Sequence, residues 1–299
     1  MTKYHDPVLL DECLEGLNLQ PKGIYVDVTF GGGGHSRAIV SKLDEGHLYA
    51  FDQDDDALEN EMDDDRFTLI HANFRDLKNS LRMYGVKEID GLLADLGVSS
   101  HQFDVPDRGF SIRFDANLDM RMDQNSDLNA AKILNAYEQG ELRNILKLYG
   151  ELKRPGTIAR VIYEAKAERP IETVQQLKEL LKPYAPKMQE NKFFAQVFQA
   201  LRIEVNDELN ALQEMLTQAQ DILKPGGRLV VISYHSLEDR LVKNLIQKGN
   251  FEGELEQDFY GNKLLSFKKI SRKPILPTEQ EIQRNNRARS AKLRVAEKL

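Results

Sequence analysis

The sequence predicts an α/β protein with a doubly wound, mostly parallel sheet that is interrupted by an all-helical domain. Three observations carry the prediction. Short apolar runs alternate with helical patterns, a glycine-rich turn follows the first run, and the middle third shows no strand-like alternation. Apolar runs of this length are typical of parallel strands buried on both faces, and such sheets bind ligands at the carboxyl ends of their strands.

The strands of this sheet are predicted from their apolar runs. The first covers residues 24–28, and four glycines, Gly31 to Gly34, follow it before a helical pattern through Leu43. The later runs are 47–51, 67–70, 89–94 and 228–233. Segments around 263–270 and 292–296 are predicted to pair as an antiparallel edge.

Between about residue 104 and residue 206, the sequence shows helical patterns and no strand-like alternation. They cover 127–137, 141–149, 157–168 and 173–182. A longer helix is predicted to begin near Asn206, since Asn is a favourable N-cap, and to continue to Lys224. We therefore predict one domain formed by residues 1–104 and 207–299, and an inserted helical domain over residues 105–206.

The net charge of −7 is unevenly distributed along the 299 residues. Nine acidic residues and no basic one lie between Asp52 and Asp65, whereas ten Lys or Arg and three Glu lie between Lys268 and Leu299. An acidic run is typical of a solvated helix face. A basic segment still attracts a phosphate backbone, because salt screens distant charges. The acidic total therefore does not exclude a nucleic-acid partner.

Cysteine usage and hydropathy predict the compartment. The single cysteine, Cys13, excludes an internal disulfide and a zinc site built from cysteines. Residues 1–10 have no apolar run typical of a signal peptide, and no stretch approaches the roughly 20 apolar residues that span a bilayer. We expect a cytoplasmic protein with no membrane association. No cluster of His or Cys suggests a metal, and none is expected.

The glycine turn carries the first functional prediction. Asp27 lies four residues before Gly31, and Asp52 ends the next strand, where an acid would bind ribose hydroxyls. Glycines at such a turn let the backbone approach a ligand. The dinucleotide pattern G-x-G-x-x-G is disfavoured, because its third position is Ser36 or Arg37. The spacing Asp-x-x-x-Gly-x-Gly is that of Rossmann-like methyltransferases, in which Asp27 would favour the sulfonium and amino group of S-adenosylmethionine.

Seven motifs along the chain match one family. They are His5-Asp-Pro-Val-Leu-Leu10, the turn from Asp27 to Arg37, Asp95-Leu-Gly-Val-Ser-Ser-His-Gln102, Asp107-Arg-Gly-Phe-Ser111, Leu118-Asp-Met-Arg-Met-Asp123, Ser233-Tyr-His-Ser-Leu-Glu-Asp-Arg240 and Arg287-Ala-Arg-Ser-Ala-Lys-Leu-Arg294. Together they resemble the RsmH (MraW) family, bacterial enzymes that methylate N4 of a decoding-centre cytidine in small-subunit ribosomal RNA. The resemblance extends from His5 to Arg294 and implies a Rossmann-like class I methyltransferase fold.

The resemblance also implies which residues bind S-adenosylmethionine. Gly33, Gly34 and His35 would contact its amino-acid end, and Asp52 its ribose. Phe74 would lie beside the adenine. Asp95 and Gln102 would close the site.

Asp95 is the residue predicted to act on the target amine. The N4 lone pair is delocalised into the cytosine ring, so a hydrogen-bond acceptor that localises it would promote transfer. The aromatic residue that often follows such an acid is absent here, since Leu96-Gly97-Val98 follows. Tyr234 and Phe110 are the candidates for stacking on the base.

The substrate is predicted to be small-subunit ribosomal RNA within an assembled or nearly assembled subunit, with no stable protein partner. The helical insertion is the predicted RNA-recognition domain, and the predicted RNA contacts are Arg108, Arg287 and Arg289. Many members of the family have an arginine where this chain has Gln196, which puts any RNA contact at that position in doubt.

Two other functions remain open from the sequence. One is a catalytically idle, cofactor-binding RNA chaperone or assembly factor, although the retained Asp27, Asp52 and Asp95 argue against it. The other is a methyltransferase acting on a protein or a small molecule, against which the basic C-terminal segment argues mildly. Without the family resemblance, the residues indicate a methyltransferase and do not identify its substrate.

Overall fold

The structure, a computed structural model, describes residues 7–299. His5 and Asp6 of the first motif therefore lie outside the described residues. The chain divides into two units, one formed by Met1–Gly97 with Leu209–Leu299 and the other by Val98–Glu208. The second unit thus begins at Val98 rather than residue 105 and ends at Glu208 rather than 206.

The first unit is built on a seven-stranded sheet with the order β3-β2-β1-β4-β5-β7-β6. Its strands are β1 Ile24–Asp27, β2 His47–Asp52, β3 Phe67–His71, β4 Ile89–Asp95, β5 Leu223–Ser233, β6 Phe267–Lys269 and β7 Lys292–Lys298. Strands β1 to β5 pair in parallel, and β7 pairs antiparallel with β5 and with β6. The predicted doubly wound sheet and its antiparallel edge are confirmed, although β6 is shorter than the segment predicted for it.

The helices of the first unit are α1 Leu10–Leu17, α2 Gly34–Val40, α3 Asp55–Leu58, α4 Leu77–Met83, α11 Glu208–Ile222, α12 Ser236–Lys248 and α13 Glu279–Arg284. The central strands alternate in the core that they face. Tyr25 packs with the core that includes α1 and α2, whereas Val26 packs with the core that includes α11 and α12. Leu93 and Leu92 repeat the alternation on β4. Both faces of the sheet are covered, which explains why its strands are uniformly apolar.

The second unit contains helices and no strand of the sheet. They are α5 Ser100–Asp104, α6 Ala130–Ala136, α7 Gln139–Leu148, α8 Pro155–Glu168, α9 Val174–Leu181 and α10 Glu190–Asn206. Short 3₁₀ turns occupy Phe74–Asp76, Pro106–Arg108, Lys182–Tyr184 and Asn286–Ser290 along the chain. One continuous apolar core, from Phe110 to Val205, holds the helices of this unit together.

The helix predicted to begin near Asn206 is confirmed as α11, which begins two residues later at Glu208. Asn206 is the last residue of α10, which ends because Asp207 adopts a left-handed conformation with φ of 49°. The Asn206 amide does not cap a following helix. It accepts a hydrogen bond from the Met122 backbone N–H at 2.7 Å and donates one to the Met120 carbonyl at 2.8 Å. Asn is common at helix ends as well as helix starts, so its identity alone did not fix the direction.

Candidate active site

The carboxyl ends of β1, β2, β4 and β5, here called the carboxyl edge, bring the predicted site residues of the first unit together. Asp27, Asp52 and Asp95 are the last residues of β1, β2 and β4, and Tyr234 follows the last residue of β5. Parallel pairing places these ends along one side of the sheet. This is the side at which doubly wound sheets bind ligands.

The glycine turn after β1 has a backbone that only glycine adopts readily. Gly31 and Gly33 have φ values of 51° and 74°, in the left-handed region. A Cβ on Gly33 would also lie 2.9 Å from the Phe30 ring, so a side chain there would displace the ring or the turn. Asn60 fixes the turn from outside by donating from its side chain to the Gly31 carbonyl at 3.1 Å.

Asp27 holds this turn from beneath. Its Oδ1 accepts hydrogen bonds from the backbone N–H and the hydroxyl of Thr29, at 3.1 and 3.2 Å. Its Oδ2 accepts the hydroxyl of Ser36 at 2.6 Å, and the residue is buried. Both carboxylate oxygens are therefore engaged within the protein. Asp27 therefore shapes the turn, and its predicted contact with the sulfonium and amino group stays a prediction.

Asp52 links the turn to β2 and keeps acceptor capacity. Its Oδ2 accepts the Gly31 backbone N–H at 2.8 Å and its Oδ1 accepts the Asp54 backbone N–H at 2.9 Å. Each carboxylate oxygen has two lone pairs, so a second acceptor position remains on each. Burial raises the pKa of Asp52 to about 6, while the two backbone N–H groups lower it. The pair of oxygens suits two adjacent hydroxyls.

Phe74 lies beyond β3, on the side of the carboxyl edge that holds Asp52. The Ala72 N–H donates to the Asp52 carbonyl at 2.9 Å, and the Asn73 side chain donates to the side chain of Gln53 at 2.6 Å. These bonds bind the loops after β2 and β3 together immediately before Phe74. The ring is half-buried against the core. Its contact with adenine stays a prediction.

Asp95 and Tyr234 form the central polar pair of the carboxyl edge. The Tyr234 hydroxyl donates to Asp95 Oδ1 at 2.7 Å, and the Asp95 N–H donates to the Thr29 hydroxyl at 2.7 Å. The Asp95 side chain remains 22% exposed. Burial raises the pKa of Asp95 to about 6, whereas His35 and then Tyr234 lower it. The carboxylate is thus fixed at one oxygen and accessible to a ligand.

His35 lies near the other carboxylate oxygen of Asp95. Its Nδ1 is 3.8 Å from Asp95 Oδ2, and its Nε2 is 3.0 Å from the Val8 carbonyl oxygen. A carbonyl only accepts, so Nε2 carries a proton. The ring is 6% exposed, at the start of α2. The Val8 carbonyl therefore fixes the His35 ring beside Asp95, and its predicted cofactor contact stays a prediction.

A short N-terminal segment completes this side of the site. The Leu9 N–H donates to Glu281 Oε1 of α13 at 2.7 Å, and Leu9 has a left-handed φ of 52°. A Cβ on Gly34 would lie 3.2 Å from Pro7. The roles of Glu281 and Asn60 were missed in the sequence, because each acts through the backbone of a segment far along the chain.

In the second unit, Gln102 and Phe110 have structural partners. The Gln102 side-chain oxygen accepts the Ser99 N–H at 3.0 Å in a capping box at the start of α5, and the residue is buried. Its predicted part in closing the site stays a prediction. Phe110 belongs to the apolar core of the second unit. It therefore has no exposed face for a base, and of the two stacking candidates only Tyr234 lies at the carboxyl edge.

Arg108, a predicted RNA contact, is buried in the second unit. Its side chain donates to the backbone carbonyls of Arg121 and Met122 at 2.9 and 3.2 Å, and the residue is 7% exposed. The guanidinium also lies 5.9 Å from the centre of the Phe110 ring. Arginine forms such fixed multiple bonds because its donors have a rigid planar arrangement. Here it supports the fold of the second unit.

The basic C-terminal segment divides into paired and exposed residues. Arg294 donates to Asp239 Oδ1 at 2.7 Å, and Lys292 lies 3.7 Å from the other oxygen of Asp239. Both belong to the packing of β7 against α12. Arg289 is exposed and Arg287 is partly buried, in the 3₁₀ turn Asn286–Ser290. Their RNA contacts stay a prediction.

Comparison with known proteins settles the family. Residues 2–299 match the sequence profile of the MraW methylase family. The chain belongs to the MraW methylase family. The resemblance inferred from the seven motifs is confirmed, and the sheet order is that of its Rossmann-like fold. The chain is accordingly a methyltransferase.

Several relatives share most of this sequence and are named ribosomal RNA small subunit methyltransferase H. The protein of Flavobacterium johnsoniae is 60% identical over 298 residues, which are 99% of this chain and 98% of the relative. That of Christiangramia forsetii is 58% identical over 300 residues, covering 100% and 99%. That of Cytophaga hutchinsonii is 57% identical over 297 residues, covering 99% of each. Within residues 7–299, no helix has both the length and the apolar character to cross a membrane.

Proposed function

We propose that this protein transfers a methyl group from S-adenosylmethionine to the N4 amine of a cytidine in small-subunit ribosomal RNA. The observation that carries the proposal is the Asp95 carboxylate, held at 2.7 Å by the Tyr234 hydroxyl beside the glycine turn. Membership of a methylase family supports the reaction, and the names of the relatives support the RNA.

The carboxyl edge fits this cofactor. Gly31 and Gly33 adopt positive φ values and have no side chains, so the amino-acid portion of the cofactor can pack closely against the backbone of the turn. Asp52 supplies two oxygens for the ribose hydroxyls, and Phe74 supplies a ring edge for the adenine. When bound, the cofactor supplies an electrophilic methyl group on a sulfonium. Gly33, Gly34, His35 and Asp52 are the residues that would hold it.

Asp95 is the residue that acts on the amine. Its carboxylate accepts a hydrogen bond from the amine N–H, which localises the nitrogen lone pair and takes up the proton released on transfer. Tyr234 fixes one of its oxygens, so that little reorganisation is needed. Burial has brought the Asp95 pKa to about 6, which makes it a better proton acceptor than an ordinary carboxylate and still ionised at neutral pH.

The helical second unit is proposed to hold the RNA. Four exposed cations lie on α7 and on the loop before α8: Arg143, Lys147, Lys153 and Arg154. Arg143 and Lys147 are four residues apart and so share one helix face. The Gln196 side chain lies beside the same loop, donating to the Glu151 carbonyl at 3.4 Å. The cation absent at position 196 is therefore replaced by neighbouring ones. The substrate is proposed to be an assembled or nearly assembled small subunit.

The test uses cofactor labelled in its methyl group, with protein-free small-subunit RNA and assembled subunits that lack the modification. We expect label in RNA with the wild-type protein, and at least 100-fold less with Asp95→Asn. An idle chaperone would bind both RNA and cofactor without transfer. Absence of label in RNA, with label instead in protein, would contradict the proposal.

A further inference from the structure

Phe259 and Tyr260 are the most exposed pair of neighbouring aromatic residues in the part of the chain that the structure describes. Phe259 is 97% exposed and Tyr260 is 86% exposed, in the loop between α12 and β6. Their rings are in contact, with centroids 5.6 Å apart and planes at 87°. Two adjacent large rings in water are costly for a protein of this size, and such a surface is typical of a binding site.

The rings project from a braced hairpin rather than a loose loop. An antiparallel bridge joins Gln257 and Lys263, and the Asp258 N–H donates to the Asn262 carbonyl at 2.9 Å. The Asp258 carboxylate accepts the N–H groups of Tyr260 and Asn262, both at 2.8 Å. Residues 257–263, here called the 257–263 hairpin, therefore present the rings on a fixed turn.

The base of the hairpin is tied to the first unit. The Leu264 N–H donates to the Glu256 carbonyl at 3.0 Å, and the Asn244 side chain of α12 donates to the Phe251 carbonyl at 2.9 Å. Gly249 ends α12 so close to the returning chain that a Cβ there would lie 2.2 Å from the Leu264 carbonyl oxygen. The hairpin is thus a fixed extension of the sheet unit.

Charge beside the rings favours a nucleic acid. Five Lys or Arg and no acidic residue lie between positions 263 and 273. All five are exposed, namely Lys263, Lys268, Lys269, Arg272 and Lys273, here called the 263–273 basic segment. The acidic residues of this loop all precede the rings, namely Glu252, Glu254, Glu256 and the bracing Asp258. Phosphates would therefore follow the returning chain.

We propose that Phe259 and Tyr260 stack on unpaired bases of the RNA, while the 263–273 basic segment binds the adjoining phosphates. Aromatic stacking accepts any base, and single-stranded nucleic acid is bound by such combinations of rings and cations. This proposal rests on the proposed function, because it takes RNA as the substrate. It contributes affinity and no sequence preference.

The test separates rings from charges on one probe, a twelve-nucleotide oligocytidylate. Filter binding over a salt series compares Phe259→Ala with Tyr260→Ala combined, the ring-conserving pair Phe259→Tyr with Tyr260→Phe, and Lys263→Gln with Lys269→Gln. The exposed apolar Leu276, changed to Ala, is the matched control. Calorimetry with S-adenosylmethionine checks that each variant is folded.

The double alanine variant is expected to bind about 30-fold more weakly or worse with an unchanged salt slope, since stacking carries no counterion release. The ring-conserving pair and Leu276→Ala should bind within about twofold of wild type. The lysine pair should make the slope shallower by about 1.4 units for a single strand.

Three results would overturn the proposal. One is unchanged oligocytidylate affinity in the double alanine variant. The second is a loss seen with assembled subunits but not with RNA, which would assign the rings to a protein. The third is self-association of the wild type that the variant abolishes. Binding needs no methyl transfer, so ring-dependent binding without label in RNA would contradict only the proposed function.

Discussion

The carboxyl edge of the sheet and the 257–263 hairpin use the same hydrogen bonds in opposite surroundings. At the edge, Asp52 accepts the backbone N–H groups of Gly31 and Asp54, and at the hairpin tip Asp258 accepts those of Tyr260 and Asn262. Burial raises the pKa of Asp52 to about 6. At the tip, the hydrogen bonds from Asn262 hold the pKa of Asp258 below its usual value.

This difference shows how one bracing device serves two purposes. Where the carboxylate is exposed, its charge costs little and the bonds simply fix a turn that carries rings. Where it is buried, the charged form is costly, and the acid becomes a stronger acceptor of protons and hydroxyl groups. In the proposed function, the carboxyl edge therefore contributes chemistry and the hairpin contributes contact area.

The largest expected effect comes from removing the charge of Asp95. Asp95→Asn keeps a group able to accept the Tyr234 hydroxyl but cannot take up a proton. Turnover should fall by about 100-fold or more, as is typical for loss of a general base, while affinity for S-adenosylmethionine changes little. Single-turnover kinetics and calorimetry measure the two quantities. Equal losses in both would make Asp95 a cofactor ligand instead.

Asp52→Ala should act on binding rather than on turnover. Loss of both acceptor oxygens should weaken S-adenosylmethionine by roughly 1.5–3 kcal/mol, because hydrogen bonds to charged groups have about this strength. Calorimetry checks the value, and Asp55→Ala, on the exposed start of α3, is the matched control. Unchanged affinity for S-adenosylmethionine in a folded Asp52→Ala protein would contradict the assignment of Asp52 to the ribose.

Turnover should fall as the pH drops below about 6. Burial raises the pKa of Asp95 to about 6, so this group is mostly protonated at pH 5 and about one tenth of the protein remains active there. The check is a pH profile of single-turnover rates at saturating cofactor. The residual activity of Asp95→Asn should lack this step, and a shared step would assign it to another group.

The same raised pKa predicts a cost in stability. An acid whose pKa is about 6 in the folded protein and 3.8 ordinarily binds a proton in the fold that the unfolded chain has released. The free energy of unfolding therefore declines as the pH rises from about 4 to about 6. Relative to wild type, Asp95→Asn should gain on the order of 1 kcal/mol across this window, after allowance for partial exposure. Urea unfolding at pH 4.5 and 7.5 gives the two differences, and their equality would refute the burial cost.

The smallest effect contrasts an exposed with a paired arginine in the C-terminal segment. Arg289→Ala should weaken RNA binding a few-fold and make the salt slope shallower by up to about one unit, because a phosphate contact is lost. Arg294→Ala should leave the slope unchanged and lower the free energy of unfolding, because Arg294 is bonded to Asp239. The reverse pattern would place the RNA surface on the β7 side.

Sequence reasoning succeeded where the pattern of apolar residues indicates which segments are buried. The apolar runs that became β1 to β5 face a core on both sides, and Gly31 and Gly33 occupy left-handed positions that few other residues adopt. It was less informative where one residue type serves two surroundings. Arg108 is a predicted RNA contact, yet the structure buries it against backbone carbonyls, and the sequence gives no sign of that burial. The Glu281 contact with Leu9 joins the two ends of the chain, so no local pattern announces it.

The hairpin shows the same limit from the other side. Residues 263–270 had been predicted as a strand from their apolar content, and only Phe267–Lys269 pairs in the sheet. The remaining apolar side chains there are partly or fully exposed. Sequence alone does not distinguish an aromatic residue in a core from one held in solvent, since this depends on the turn that Asp258 braces.

The central claim, that the carboxyl edge methylates an amine of cytosine, is tested most directly by nucleoside mass analysis. Small-subunit RNA that lacks the modification is incubated with the protein and S-adenosylmethionine, then digested to nucleosides. The account predicts N4-methylcytidine with the wild-type protein and a loss of at least 100-fold with Asp95→Asn. A methyl group on a ring carbon, on a ribose or on another base would contradict it.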